Sequence, residues 1–292
     1  MTNRPVVVVG DVGLDVITRH EGEIHWRSDT PASVALTPGG AGGNSASWLA
    51  AAGASVTLLA RVGDDAAGAT ARRELEAAGV RCAFAVDDTL ATCMVVILLD
   101  GHGDRTMFPD RGANRAFCVS DVDLSALGLP QSPRPHLHLS GYVLFDAGSR
   151  AAGLESLREA RELGWSTSVD PQSPALILRE GVSTFLDWVT GVDLLLPNET
   201  EVDTLGGLDA ILAHTGQVVA TFGAKGARWV GPGISEEAHA PHVENVDATG
   251  CGDAFNAGLL SSWLRGDDRA EALRSGVLAG SAAAERLGAR PV

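Results

Sequence analysis

A chain of 292 residues with 45% hydrophobic and 20% charged side chains carries enough apolar material for a substantial core, which excludes a disordered polypeptide. Its formal net charge of −15 speaks against nucleic acid or an acidic membrane face as a partner, because counterion release needs clustered Lys and Arg. The four cysteines, Cys82, Cys93, Cys118 and Cys251, show neither C-x-x-C nor zinc spacing and are expected to be reduced thiols of a cytoplasmic protein.

The opening apolar run at residues 5–9, PVVVV, is β-branched and stops at Gly10, as a strand buried on both faces would. It is too short for a signal-peptide core, and no segment approaches a membrane span. Asp11 and Asp15 follow at the carboxyl end of that strand, where open α/β sheets place their ligands, although an acid there also suits a plain turn. Residues 16–37 alternate in pieces such as Glu23–Trp26 and Ser33–Leu36, as short strands with one wet face do. Between Pro38 and Gly68, the glycines Gly39, Gly40 and Gly43 let backbone lie against a ligand, and Asn44 is expected to cap an Ala- and Leu-rich helix. Neither a P-loop nor a dinucleotide fingerprint occurs in this stretch.

A helix is predicted over 69–79 and a strand over 80–86. Residues 92–99 and 105–109 read as strands around the turn Asp100–Asp104, and with 16–37 they would build a small sheet outside the main one. Arg105 in this hairpin is either solvated or within reach of an acidic or phosphorylated substrate. Residues 136–145 read as an interior strand with His136 and His138 on one face; with no third ligand nearby, a packed pair is expected rather than a metal pair. A helix over 151–163, a strand over 166–170 and a strand ending at Pro197 continue a strand–helix alternation. Such alternation predicts an α/β, doubly wound, mostly parallel Rossmann-like sheet flanked by helices. Glu199 and Glu201 then crowd a helix start, where acids complement the dipole. Residues 218–230 read as strand, glycine turn, strand, and 256–264 and 269–286 as Ala-rich helices.

The most informative stretch is Val246–Leu260, VDATGCGDAFNAGLL. Gly250 and Gly252 allow successive amides to converge at the positive end of a helix, which attracts an anion such as phosphate. Asp253 sits inside that anion site. It is either a helix-capping acid or a base that takes a proton from a hydroxyl attacking a phosphoryl group.

Residues Asp247–Asp253 resemble the D-T-x-G-A-G-D signature of the ribokinase-like carbohydrate kinases, the PfkB family, with Cys251 in place of alanine. Gly39, Gly40 and Asn44, followed by Arg61–Asp64, resemble that family's N-terminal signature, and Arg111–Asn114 resembles its return from a lid. The resemblance spans nearly all of 1–292 as one domain, with lid strands at about 16–37 and 92–112. It implies ATP-dependent phosphorylation of a primary hydroxyl of a small sugar, or alternatively of a nucleoside, with Asp253 as base and the amides of Gly250, Cys251 and Gly252 holding the transferred group. It also implies acceptor contacts from Asp15, Gly40, Gly43 and Asn44, and nucleotide contacts from Thr221, Gly223 and Gly226. Asn198 and Glu201 match its N-x-x-E motif, which orders Mg2+ through water; Asp247 and Thr249 match part of a K+ site. A homodimer through the lid is a further implication. A catalytically silent sugar binder is opposed by the retained Asp253, and a Rossmann dehydrogenase by the absent fingerprint.

Overall fold

The computed structural model describes residues 4–101, 105–244 and 246–291, so the tip of the turn at 102–104 and the side chain of Arg105 lie outside the described residues. The chain runs β1 (Val6–Val9), β2 (Gly13–His20), β3 (Ala32–Gly39), α1 (Ala41–Ala51), β4 (Val56–Gly63), α2 (Ala66–Ala77), β5 (Arg81–Asp87), β6 (Cys93–Leu99) and β7 (Arg105–Asp110). It continues through β8 (His136–Ser140), α3 (Arg150–Glu162), β9 (Ser166–Asp170), α4 (Pro174–Glu180), α5 (Val182–Trp188), β10 (Leu194–Leu195), α6 (Glu199–Thr204) and α7 (Leu208–Leu212). The remainder is β11 (Gln217–Thr221), β12 (Ala227–Gly231), β13 (Ile234–Ala238), α8 (Cys251–Arg265) and α9 (Arg269–Ala284).

The main sheet has the order β13-β12-β11-β10-β9-β8-β1-β4-β5. It is parallel from β11 to β5, and β12 and β13 form an antiparallel edge. The β-branched run of β1 explains its central place: Val6 and Val8 point into one core with α1, α2, α8 and α9 residues, and Val7 and Val9 into the other with α3 and α5 residues. From β1 the chain first winds outward through β4 and β5, then returns to β8 and winds the other way. The crevice at the carboxyl ends of β1 and β8 is therefore the topological switch point, where such sheets bind ligands.

The second sheet has the order β3-β2-β6-β7, with β2 parallel to β6 and the other pairs antiparallel. Register places Val34, Leu36, Val96 and Phe108 on one face, and Asp15, Thr37, Val95 and Pro109 on the other. The expected strand character of Glu23–Trp26 is not realised. That stretch is a loop between β2 and β3, and Trp26 is exposed, with no strand partner to bury it.

The predicted strand over 136–145 ends at Ser140, and Gly141–Leu144 forms a 3-10 turn. Gly141 makes the break possible, because a Cβ there would fall 2.6 Å from the Asp170 carbonyl oxygen. His136 and His138 are both buried and bond to Ser166 and Ser168. Burial pushes both imidazoles below their usual pKa, His138 to about 4, as a neutral packed pair requires.

Candidate active site

The residues returning from the second sheet clamp the end of β1. Arg111 donates to Asp11 Oδ1 at 2.9 Å and to the Tyr142 carbonyl at 2.7 Å. Asn114 exchanges bonds with the Val12 backbone at 3.0 and 3.3 Å. Of the two acids expected beside the ligand, Asp11 is thus committed to a structural ion pair. Asp15 on β2 is not; its carboxylate lies against bare Gly39, where a Cβ would fall 2.3 Å from Oδ1. Burial pushes the Asp15 carboxyl up to about 6, against the opposing charge of Arg290.

Asn44 does not cap α1. Gly40 holds the N-cap position at φ 86°, so the helix starts earlier and the Asn44 N–H donates to the Gly40 carbonyl at 3.0 Å. The Asn44 side chain instead accepts from Arg290 Nε at 3.0 Å. The Gly43 amide is also engaged, donating to the Asp11 carbonyl at 3.0 Å, and its bare Cα faces the Arg290 guanidinium. Gly43 therefore meets Arg290 rather than presenting an open amide.

Across the crevice, Gly250 adopts a left-handed conformation at φ 78° and opens α8. The helix ladder begins with Ala254 N–H donating to Gly250 O at 2.8 Å, which leaves the Gly252 and Asp253 amides without an intrahelical acceptor. Gly252 is exposed, and a Cβ there would meet no atom within 4 Å. Open donors at a helix N-terminus suit an anion. The Cys251 amide differs: it donates to the Ala248 carbonyl at 3.3 Å. Asp253 accepts from Ser45 Oγ on α1, and burial pushes its carboxyl up to about 7, opposed by Ser45 and Arg290. A carboxylate poised near neutrality beside open amides suits proton abstraction from a hydroxyl that attacks an anionic centre.

Behind Asp253 lie two further buried acids. Asp170, ending β9, accepts from Asn256 Nδ2 of α8 at 2.8 Å. Burial, then Glu201 and Asp253, hold it well above the usual carboxylate range. Glu201 forms a capping box with Asn198, through Asn198 N–H to Oε2 at 2.8 Å and Glu201 N–H to Asn198 Oδ1 at 3.0 Å. Its carboxyl is pushed up to about 7 by burial, and its Oε1 is buried without a partner. A buried carboxylate oxygen without a partner, near a second buried acid, fits a hard divalent cation. Among the described residues no three His, Cys, Asp or Glu side chains are grouped to hold a metal ion, so an ion bound here would keep several water ligands.

Asn198 and Thr221 form an isolated β-bridge, which brings the start of α6 beside the end of β11. Gly223 and Gly226 shape the turn after β11, closed by Phe222 N–H to the Gly226 carbonyl at 2.8 Å. Lys225 pairs with Glu199 at 2.8 Å on the surface, where such a pair contributes little. Asp247 accepts from the Thr249 amide at 2.8 Å, from its hydroxyl at 2.6 Å and from the Gly288 amide at 3.1 Å.

Sequence reasoning missed Ser45, Asp170 and Arg290. Asp170 had a signal, as an acid at the carboxyl end of a parallel strand. Ser45 had a weak one, as the neighbour of Asn44 near the start of α1. Arg290 had none, since nothing local to Ala289–Pro291 indicates where its side chain goes.

The ATP-dependent ribose-1-phosphate kinase of Halopiger xanaduensis is 29% identical over 298 residues, covering 98% of this chain and 93% of that protein. The structure of adenosine kinase from Sinorhizobium meliloti superposes with TM-score 0.87 at 22% identity, covering 100% of this chain and 97% of that one. An E. coli chain named as a ribokinase II, in complex with ATP and Mg2+, gives TM-score 0.85 at 22% identity, covering 98% and 94%. The fold is thus ribokinase-like, and a family profile described as pfkB family carbohydrate kinase matches residues 3–292. On that match over nearly its whole length, the chain belongs to the pfkB family of carbohydrate kinases.

Proposed function

We propose that the chain transfers the γ-phosphoryl group of ATP to a primary hydroxyl of a small sugar or sugar derivative, with Asp253 as the base. The observation that carries this reading is Asp253 itself, raised to about 7 and set in the first turn of α8 beside the open Gly252 amide. Asp15 and Asn44 bind acceptor hydroxyls. Asp253 takes the hydroxyl proton as the oxygen attacks, while the amides of Gly250, Gly252 and Asp253 hold charge on the transferred group. Thr221, Gly223 and Gly226 lie along the nucleotide phosphates. Mg2+, when bound through water near Asn198 and Glu201, offsets the charge of the β- and γ-phosphates. The Glu201 oxygen that lacks a partner supports this placement. A K+ ion beside Asp247 and Thr249 completes the reading.

The second sheet serves as a lid whose inner face carries Asp15. Its outer face exposes Val34 at 65%, Leu36 at 67% and Phe108 at 56%, a contiguous apolar surface that a second copy of the chain would cover. Light scattering is expected to give a dimer mass that Leu36→Lys reduces to that of a monomer; a monomeric wild-type protein refutes this part.

The test of function is ADP release from ATP across sugars, sugar acids, sugar phosphates and nucleosides. Omission arms remove Mg2+ or K+ in turn. Turnover is expected with one sugar class, abolished without Mg2+ and lowered without K+. Turnover confined to nucleosides would replace the sugar reading with the nucleoside one, and ADP formation independent of any acceptor would overturn both.

A further inference from the structure

The least expected contact in the crevice comes from the C-terminal segment. Arg290 inserts its guanidinium between α1 and the end of β3, donating through Nε to Asn44 Oδ1 at 3.0 Å and through Nη2 to the Gly39 carbonyl at 2.8 Å. Gly43 is what lets it in, because a Cβ there would fall 2.4 Å from Nη2. Acids face the guanidinium from several elements: Asp15 of β2, Glu74 of α2 and Asp253 of α8, with the Cys82 thiol of β5 nearby. Glu74 Oε2 is buried and has no hydrogen-bond partner. Burial lowers the Arg290 pKa only to about 10, so the group is charged at neutral pH. Its backbone is fixed as well. Trp48 Nε1 donates to the Ala289 carbonyl at 2.9 Å, and the Gly288 amide donates to Asp247 at 3.1 Å.

We infer that Arg290 is a positioning residue of the acceptor site, which fixes Asn44 as a hydrogen-bond donor and fastens the first turn of α1 beside Asp253. The chemistry forces the orientation of the amide. A guanidinium has only donors, so the Asn44 atom facing it must be the oxygen, and Nδ2 is the atom left for a ligand. Asp15, by contrast, offers only acceptors when ionised. The site therefore presents a fixed donor from α1 and a fixed acceptor from β2, a polarity that selects how a polyhydroxylated acceptor lies. Because Ser45, next to Asn44, bonds Asp253, the same contact sets the place of the base.

This inference rests on the kinase reading for its kinetic consequence, but not for its structural one. Arg290→Met, Arg290→Lys and Asn44→Asp are compared with the wild-type protein by acceptor KM, ATP KM and the midpoint of the Asp253 carboxyl titration, followed by 13C NMR without ligand. Arg290→Met is expected to raise acceptor KM roughly tenfold, as loss of a charge-assisted hydrogen bond does. ATP KM should stay unchanged, and the Asp253 midpoint should rise because a charge that lowers it is gone. Arg290→Lys restores the midpoint but not KM, since an ammonium lacks the planar fork that holds Asn44 and Gly39 together. Asn44→Asp keeps an acceptor for Arg290 yet removes the donor, and should raise acceptor KM comparably. An unmoved Asp253 midpoint with unchanged acceptor KM in Arg290→Met would reduce Arg290 to a strut. Unchanged acceptor KM in Asn44→Asp would remove the donor assignment. If the wild-type protein turns over no acceptor, the kinase reading fails, while the NMR titration still decides whether Arg290 governs the carboxylate.

Discussion

Asp253→Asn is expected to lower kcat by about 10²–10⁴-fold and, at the same time, to make the protein more stable above neutral pH. The kinetic loss follows from removal of the proton acceptor, while the Asn oxygen can still accept from Ser45 and keep the geometry. The gain in stability follows from linkage. Burial raises the folded-state pKa of Asp253 from 3.8 to about 7, so the folded chain binds this proton more tightly than the unfolded chain. Stability is therefore lost as pH rises from about 4 through about 7, because a half-buried carboxylate must be left charged. An amide carries no such cost, so the advantage of the variant is full above pH 7 and vanishes near pH 4. The wild-type kcat/KM should rise with pH along a limb centred near 7, and the limb should be missing from the residual activity of the variant. A kcat within threefold of wild type would falsify the assignment of the base.

Gly250→Ala should also have a large effect, for a reason of shape. Gly250 sits at φ 78°, and a Cβ on it would fall 2.4 Å from the Ala289 carbonyl oxygen, which belongs to backbone anchored by Trp48. Left-handed strain costs about 1–2 kcal/mol and overpacking another 1–3 kcal/mol. For a chain of this length that corresponds to a fall in Tm of roughly 3–8 °C. Relief requires the start of α8 to move, and displacing one donor from a developing negative charge typically costs about 10²–10³-fold in kcat. Calorimetry and ADP release read the two parts separately. A Tm drop with full activity would show that the Gly250–Gly252 turn does not hold the transferred group.

The parts of this molecule that were legible in the sequence are those whose physics is local. The β-branched PVVVV run, the alternation of apolar and Ala-rich segments and the glycine turn before Asp253 each carry their meaning within a few residues, and each stands in the structure where expected. Asn198 and Glu201 likewise form their reciprocal cap without help from elsewhere. The rest depends on contacts between distant segments. Asn44 was expected to cap α1, yet Gly40 takes that role and a side chain 246 residues away claims the Asn44 oxygen. Position at the end of β1 left Asp11 open between a turn and a ligand contact, and its actual partner, Arg111, lies 100 residues on. The strand over 136–145 stops at Ser140 because Gly141 must pass the end of β9, an approach that its own apolar pattern does not encode. The helices α4 and α5, and the edge strand β13, carried no pattern strong enough to be read in advance.

The placement of Arg290 also bears on how the chain becomes active during its synthesis. Among the described residues every strand of the main sheet precedes residue 239, whereas α8 and α9, which complete one of its two cores, and the segment at 288–290 are made last. Until that segment emerges, Asn44 has no partner for its oxygen, Trp48 none for its indole N–H, and Asp247 lacks the Gly288 amide. A chain truncated before Gly288 would keep every strand of the sheet yet lose all three of these contacts at once.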